Sequence, residues 1–154
     1  MRSRSIFRLA FAAGAFSLLA VALPAVPSSP AHGADAPAHQ VILCYFHRTV
    51  RCPTCKMVGS YVQEAVQAGF PAQMKDGTVK LLMVDFQDPR NQPYVKAYRV
   101  TGPLLVVLDV RDGKVAAWKP VPKVWSLLSK KTEFFKCVQS EVQGYLDAQE
   151  AAGR

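Results

Sequence analysis

A chain of 154 residues, half of them hydrophobic, can build one buried core plus a targeting segment, and is too short for several domains. Its formal charge of +8 is inflated by Arg2, Arg4 and Arg8; without them Lys and Arg fall from 19 to 16 against 11 acids, about +5. That moderate excess, with no basic stripe interleaved with aromatics, excludes nucleic acid as an expected partner and weakly favours acidic partners or an anionic membrane surface.

The first residues read as an export signal. Arg2, Arg4 and Arg8 form a positive start, Leu9 to Leu23 is almost wholly apolar, and the small, proline-rich stretch Pro24 to Ala38 supplies a cleavage region. Cuts are expected after Gly33 or Ala34; Ala34-Asp35-Ala36 also has the small-x-small pattern, but Pro37 would follow that cut. An uncleaved membrane anchor is the alternative, although about 15 apolar residues are short for a span of about 20. No cysteine follows the apolar run, which argues against a lipoprotein. The expected organisation is a signal peptide over 1–34, a linker over 35–39 and one domain over 40–150, exported and periplasmic. All four cysteines then lie where disulfides persist.

Gln40 to Phe46 is a continuous apolar run rich in β-formers, which predicts a strand buried on both faces. His47 to Arg51 is a loop, and Cys52-Pro53-Thr54-Cys55-Lys56 opens a helix. Its apolar positions Met57, Val58, Tyr61, Val62, Ala65 and Val66 recur at three- and four-residue spacing, with Gly69 as the expected stop. Pro53 is well tolerated there, because the N–H it lacks would have been unpaired. Met74 to Thr78 reads as a turn and Val79 to Phe86 as a second buried strand. Asp88 to Pro93 is loop, and a short helix follows over about Tyr94 to Tyr98. Leu104 to Val110 is a third buried strand, Asp112-Gly113 a hairpin turn, and Lys114 to Trp118 an edge strand. After Pro120-Val121-Pro122, Lys123 to Leu128 is one helical turn. Thr132 to Gln149 is a long helix with Phe134, Phe135, Val138, Val142, Tyr145 and Leu146 on its apolar face. The order is a βαβ unit with a right-handed crossover, then a hairpin closed by a terminal helix.

A Cys-x-x-Cys pair at a strand-to-helix turn points to dithiol–disulfide chemistry. Two intervening residues let the sulfurs meet on the first helical turn, and the helix N-terminus favours a thiolate at Cys52. Cys52 is the expected nucleophile and Cys55 the resolving thiol, with Arg51 and Lys56 lowering the thiol pKa if they point toward it. A permanent disulfide or a zinc site are the competing readings; zinc would want a second such pair, which the chain lacks. Cys44 and Cys137 read either as small buried hydrophobes or as a disulfide tying the last helix to the sheet. His47 reads as a solvated loop residue or a proton carrier, and Asp85 as a turn cap. Trp118 and Trp125 read as packing residues, and Lys119, Lys123, Lys130 and Lys131 as a solvated face.

The element order, together with Cys52-Pro53-Thr54-Cys55-Lys56, Val84-Asp85 at a strand end, Tyr98-Arg99-Val100-Thr101-Gly102-Pro103 before an apolar strand and Asp112-Gly113-Lys114 in a hairpin, resembles the thioredoxin superfamily over most of residues 40–150. The resemblance implies an α/β, thioredoxin-like fold with a central four- to five-stranded mixed sheet flanked by helices. It implies a cis bond at Pro103, with Gly102 and Pro103 beside the cysteines as the substrate-binding edge. It implies a redox-active Cys52–Cys55 disulfide in a thiol–disulfide oxidoreductase without cofactor or metal, acting on cysteine-containing exported proteins. A membrane electron donor or acceptor is a further partner it admits. Four departures stand out: Arg51 replaces a tryptophan, the loop before Cys52 is about one residue longer, the first strand has no buried aspartate, and Gly102 replaces a larger residue. A binding module with a locked disulfide and a copper-handling protein are the other function classes, with His47 and Met57 as candidate extra copper ligands.

Overall fold

The computed structural model describes residues 37–152. The export signal expected over 1–34, with Arg2, Arg4, Arg8 and the cleavage positions, lies outside the described residues. Among the described residues no helix is long and apolar enough to cross a membrane. The elements run β1 (His39–His47), α1 (Pro53–Gly69), α2 (Pro71–Asp76), β2 (Val79–Asp85), α3 (Gln92–Ala97), β3 (Leu104–Arg111), β4 (Lys114–Pro120) and α4 (Lys131–Ala152). Single 3₁₀ segments lie at Pro89–Asn91 and Pro122–Leu127.

One mixed four-stranded sheet has the order β2-β1-β3-β4. β1 is parallel to β2 and antiparallel to β3, and β3 is antiparallel to β4. This is the α/β architecture expected, a sheet flanked by helices. β1 is apolar from Val41 to Phe46 because it has a strand on either side and packing on both faces. Val41, Leu43 and Tyr45 point to one side and Cys44 and Phe46 to the other, all buried. The first side meets Val58, Val62, Ala65 and Val66 of α1 and Phe134, Val138 and Val142 of α4. The second side meets Tyr98 and Val100, after α3, and leaves a groove of about 500 Å³ walled by Ile42, Cys44, Phe46, Leu82, Tyr94 and Leu108.

Three expectations are corrected. β2 is not fully buried: Leu82 is 46% and Met83 39% exposed, on opposite faces, because β2 is an edge strand and neither face is fully covered there. Met57 leaves the core stripe of α1, which is Cys55, Val58, Gly59, Val62, Ala65 and Val66; Met57 is 43% exposed. Gly69 is the last residue of α1 and Phe70 its C-cap. Phe70 is buried and turns the chain straight into α2, which Pro71 starts and Gly77, at φ 83°, ends. α2 was not anticipated as a helix.

Cys44 and Cys137 are both free, and strand alternation keeps them apart. Cys44 faces the α3 side, whereas Cys137 on α4 packs against the other side. They are buried or half-buried apolar residues, and the bridging disulfide is ruled out. The hairpin between β3 and β4 has Asp112 at φ 49° and Gly113 at φ 73°, the paired positive angles that match the twist of two-residue hairpins. Trp118 stacks edge-on against Tyr98 at 5.5 Å, and Trp125 packs on the helical side of the sheet. Lys119, Lys130 and Lys131 form surface pairs with Glu141, Glu133 and Glu64.

Candidate functional site

β1 ends at His47 and delivers the chain, through five loop residues, to the N-terminus of α1. Cys52 is the N-cap, with extended backbone (φ −69°, ψ 162°), and Pro53 occupies the first turn without wasting a donor. Cys52 Sγ takes the place of a capping oxygen and accepts from Cys55 N–H at 3.2 Å. Cys55 Sγ lies 2.8 Å from Cys52 Sγ. Cys52 is exposed and Cys55 is buried, so one sulfur faces solvent and the other lies behind it.

The two thiols are driven in opposite directions. Hydrogen bonds donated by the Cys55 thiol, and then by the Cys55 backbone N–H, hold Cys52 below the ordinary thiol range. Donating that bond, burial and the nearby Cys52 charge push Cys55 up. Of the two sulfurs, Cys52 therefore ionises more readily and Cys55 holds its proton more firmly. The lowering comes chiefly from hydrogen bonding at the helix start, as expected of that position; Arg51 and Lys56, the further contributors the sequence admits, are not among its main causes.

Two anchors hold this turn. Tyr45, fully buried on β1, donates its phenol to Cys55 O at 2.9 Å, and burial followed by the Cys55 and Cys52 charges pushes its own pKa up. At the rim, Thr49 Oγ1 donates to Asp85 Oδ2 at 2.7 Å, Thr49 N donates to Gln87 Oε1 at 3.1 Å, and Gln87 N donates to Asp85 Oδ1 at 2.9 Å. These bonds sew the loop to the end of β2 and hold the Asp85 carboxyl below the usual range, the Thr49 bond being the main cause. Asp85 is the turn cap anticipated. Neither Tyr45 nor Thr49 was singled out as a site residue. A tyrosine on the inward-facing positions of the strand before a Cys-x-x-Cys turn, needing a partner for its hydroxyl, was the available signal.

His47 is half-buried and donates from Nδ1 to Arg48 O at 2.9 Å. Among the described residues, no group of three or more His, Cys, Asp and Glu is placed to hold a metal ion. The register pairs Phe46 with Leu104, which brings Gly102 and Pro103 to the sheet end that carries the cysteine turn. Gly102 is half-buried, and a Cβ added there would meet nothing within 4 Å. Its lack of a side chain thus leaves open space beside β3.

No family model matches the chain, and no curated protein matches it. Among solved structures, mitochondrial thioredoxin 3 of Saccharomyces cerevisiae, in its oxidised form, is 18% identical over 66% of this chain and 78% of its own, with a TM-score of 0.40. A thioredoxin of Trypanosoma brucei brucei is 23% identical over 61% of this chain and 73% of its own, TM-score 0.39. One of Thermus thermophilus is 26% identical over 53% of this chain and 58% of its own, TM-score 0.31. The chemistry rests on Cys52, Cys55 and their surroundings.

Proposed function

We propose that the protein is a thiol–disulfide oxidoreductase that exchanges the Cys52–Cys55 pair with disulfides of exported proteins, in the reducing direction. One observation carries this reading: an exposed Cys52 sulfur at a helix N-cap, 2.8 Å from a buried Cys55 sulfur, with the two pKa values pushed apart. The Cys52 thiolate attacks a substrate disulfide, forming a Cys52–substrate bond and expelling the other substrate sulfur as a thiolate, which takes a proton from solvent. Cys55 then loses its proton and attacks Cys52 Sγ. The second substrate thiol leaves, the Cys52–Cys55 disulfide forms, and two electrons have passed to the substrate. An external dithiol returns the pair to its reduced state.

A strong oxidant owes its potential to a heavily stabilised reduced form, so the potential of the Cys52–Cys55 pair decides the direction. Gly102 and Pro103, the latter with a cis bond, would supply the substrate edge. The test is catalysed insulin reduction with the potential measured alongside. Turnover lost in Cys52→Ser and a potential near about −270 mV support a reductant; one near about −120 mV reverses the direction. No turnover, with a disulfide that resists dithiothreitol, overturns the oxidoreductase reading. Cys55→Ser, which cannot resolve, should accumulate mixed disulfides with the physiological substrates.

A further inference from the structure

Three exposed cations flank the exchanging thiol in the chain; the Arg48 guanidinium lies over the Phe86 ring, 5.7 Å from its centroid. Arg48, Arg51 and Lys56 lie within four residues of Cys52 and are exposed, and the first turn of α1 holds no acid. Among the described residues none of the three has a carboxylate within ion-pair distance. The acids on the neighbouring strand end are already engaged: Asp85 by Thr49 Oγ1 and Gln87 N, and Asp88 by Arg90. Val50, 85% exposed, stands between Arg48 and Arg51 and adds an apolar contact at the same rim.

Arg51 is next to Cys52 in the chain, Lys56 lies one helical turn beyond it, and Arg48 begins the same loop. The fields of Arg48 and Arg51 reach the buried Cys55 thiol and Tyr45 hydroxyl respectively. Their charges act equally on a group that approaches Cys52 from solvent. We infer that the Arg48–Arg51–Lys56 rim selects disulfides whose cysteine is flanked by acidic residues, an inference that rests on the exchange reaction above. The substrate's carboxylates pair with the rim while its sulfur meets Cys52. Each exposed pair changes the rate by about one- to five-fold, so three acting together give about tenfold.

The experiment uses the reduced full chain in single turnover with three symmetric peptide disulfides that differ only at the residues flanking cysteine: Glu, Ser or Lys. Each rate is divided by that of dithiothreitol with the same peptide, which removes the intrinsic reactivity of the disulfide. The expected order is Glu above Ser above Lys. Glu should exceed Ser by about tenfold at 10 mM salt, falling toward equality at 1 M as screening shortens from about 30 to 3 Å. In the triple variant Arg48→Gln, Arg51→Gln, Lys56→Gln the preference of Glu over Ser over Lys should vanish at low salt. Equal normalised rates for the three peptides at low salt overturn the acidic preference and leave the exchange reaction standing. No reaction with any peptide overturns the exchange reading itself, and the acidic preference with it.

Discussion

At the level of single side chains, the difference between Cys52 and Cys55 comes from where each sulfur sits on the first turn of α1. Cys52 is outside and accepts; Cys55 is inside and donates. Removing the donor should therefore undo the asymmetry. In Cys55→Ala the Cys52 pKa is expected to rise toward the ordinary thiol value, read from thiolate absorbance against pH, and alkylation of Cys52 at neutral pH should slow. Arg51→Gln should move that pKa less than Cys55→Ala does, and a larger shift there would show that the cation, not the hydrogen bond, sets the thiolate. Because the Cys52 pKa is depressed, its contribution to the stability of the reduced protein is complete above the unfolded thiol value and is lost as pH falls through the folded one. Tyr45 makes a second residue-scale prediction. Tyr45→Phe keeps the buried ring and removes one hydrogen bond to Cys55 O, whose carbonyl remains inside the helix. A loss of about 1 kcal/mol is expected, a melting shift of roughly 4 °C. Faster alkylation of Cys55 should accompany it, since the turn that hides that thiol is less firmly held.

At the level of elements, the cysteine turn depends on a loop that crosses from β1 to α1 and is tied down beside β2. Thr49, Asp85 and Gln87 make the tie. Asp85→Ala removes the acceptor for both Thr49 Oγ1 and Gln87 N. Amide exchange should speed up across residues 48–52 and 86–88 while the sheet stays protected, and uniform exchange would place the anchor elsewhere. Acid should mimic the substitution. The Asp85 carboxyl lies below its unfolded value of about 3.9, so its contribution is complete above that pH and disappears as pH falls through the folded value. The elements themselves were legible wherever burial and periodicity coincide. The central strands β1 and β3, the apolar face of α4 and the Asp112-Gly113 turn all carry their pattern within a few residues. α2 was not legible, since Pro71 to Asp76 is too short and too polar to show a period, and its start depends on Phe70 being buried. Nor was the exposure of β2, because Leu82 and Met83, on opposite faces, read as core until the strand is known to lie at an edge. For the site, the paired cysteines could be read from spacing alone. Tyr45 and Thr49 could not, because their partners Cys55 and Asp85 are fixed by the docking of α1 on the sheet and by strand pairing.

At the level of the whole molecule, the sheet separates two polar groups. The cysteine turn occupies one end of β1. At the other, His39 Nε2 lies 2.7 Å from Asp109 Oδ1, and Arg111 Nε donates to Asp109 Oδ2 at 3.1 Å. The nine residues of β1 put roughly 27 Å between these ends, well beyond the distance over which exposed charges act at physiological salt. Asp109 is 3% exposed and joins the first residue of β1 to the last of β3, where His39 faces Arg111 in the register. It sits beside the bulge where the β3–β4 register shifts, so its carboxylate closes the end of the sheet at the point where the ladder is least regular. Removing it leaves a buried histidine nitrogen and a half-buried guanidinium without their acceptor. Breaking a buried pair in this way costs about 3 kcal/mol. Asp109→Ala is expected to melt roughly 10 °C lower, as followed by tryptophan fluorescence. Asp109→Asn, which keeps one acceptor oxygen, should lie between it and the parent. Neither should move the Cys52 pKa or the rate of disulfide exchange measured well below the melting point. If exchange fell in step with stability at such a temperature, the two ends of the sheet would be mechanically coupled, and the cysteine turn would depend on more than Tyr45 and the Thr49–Asp85 tie.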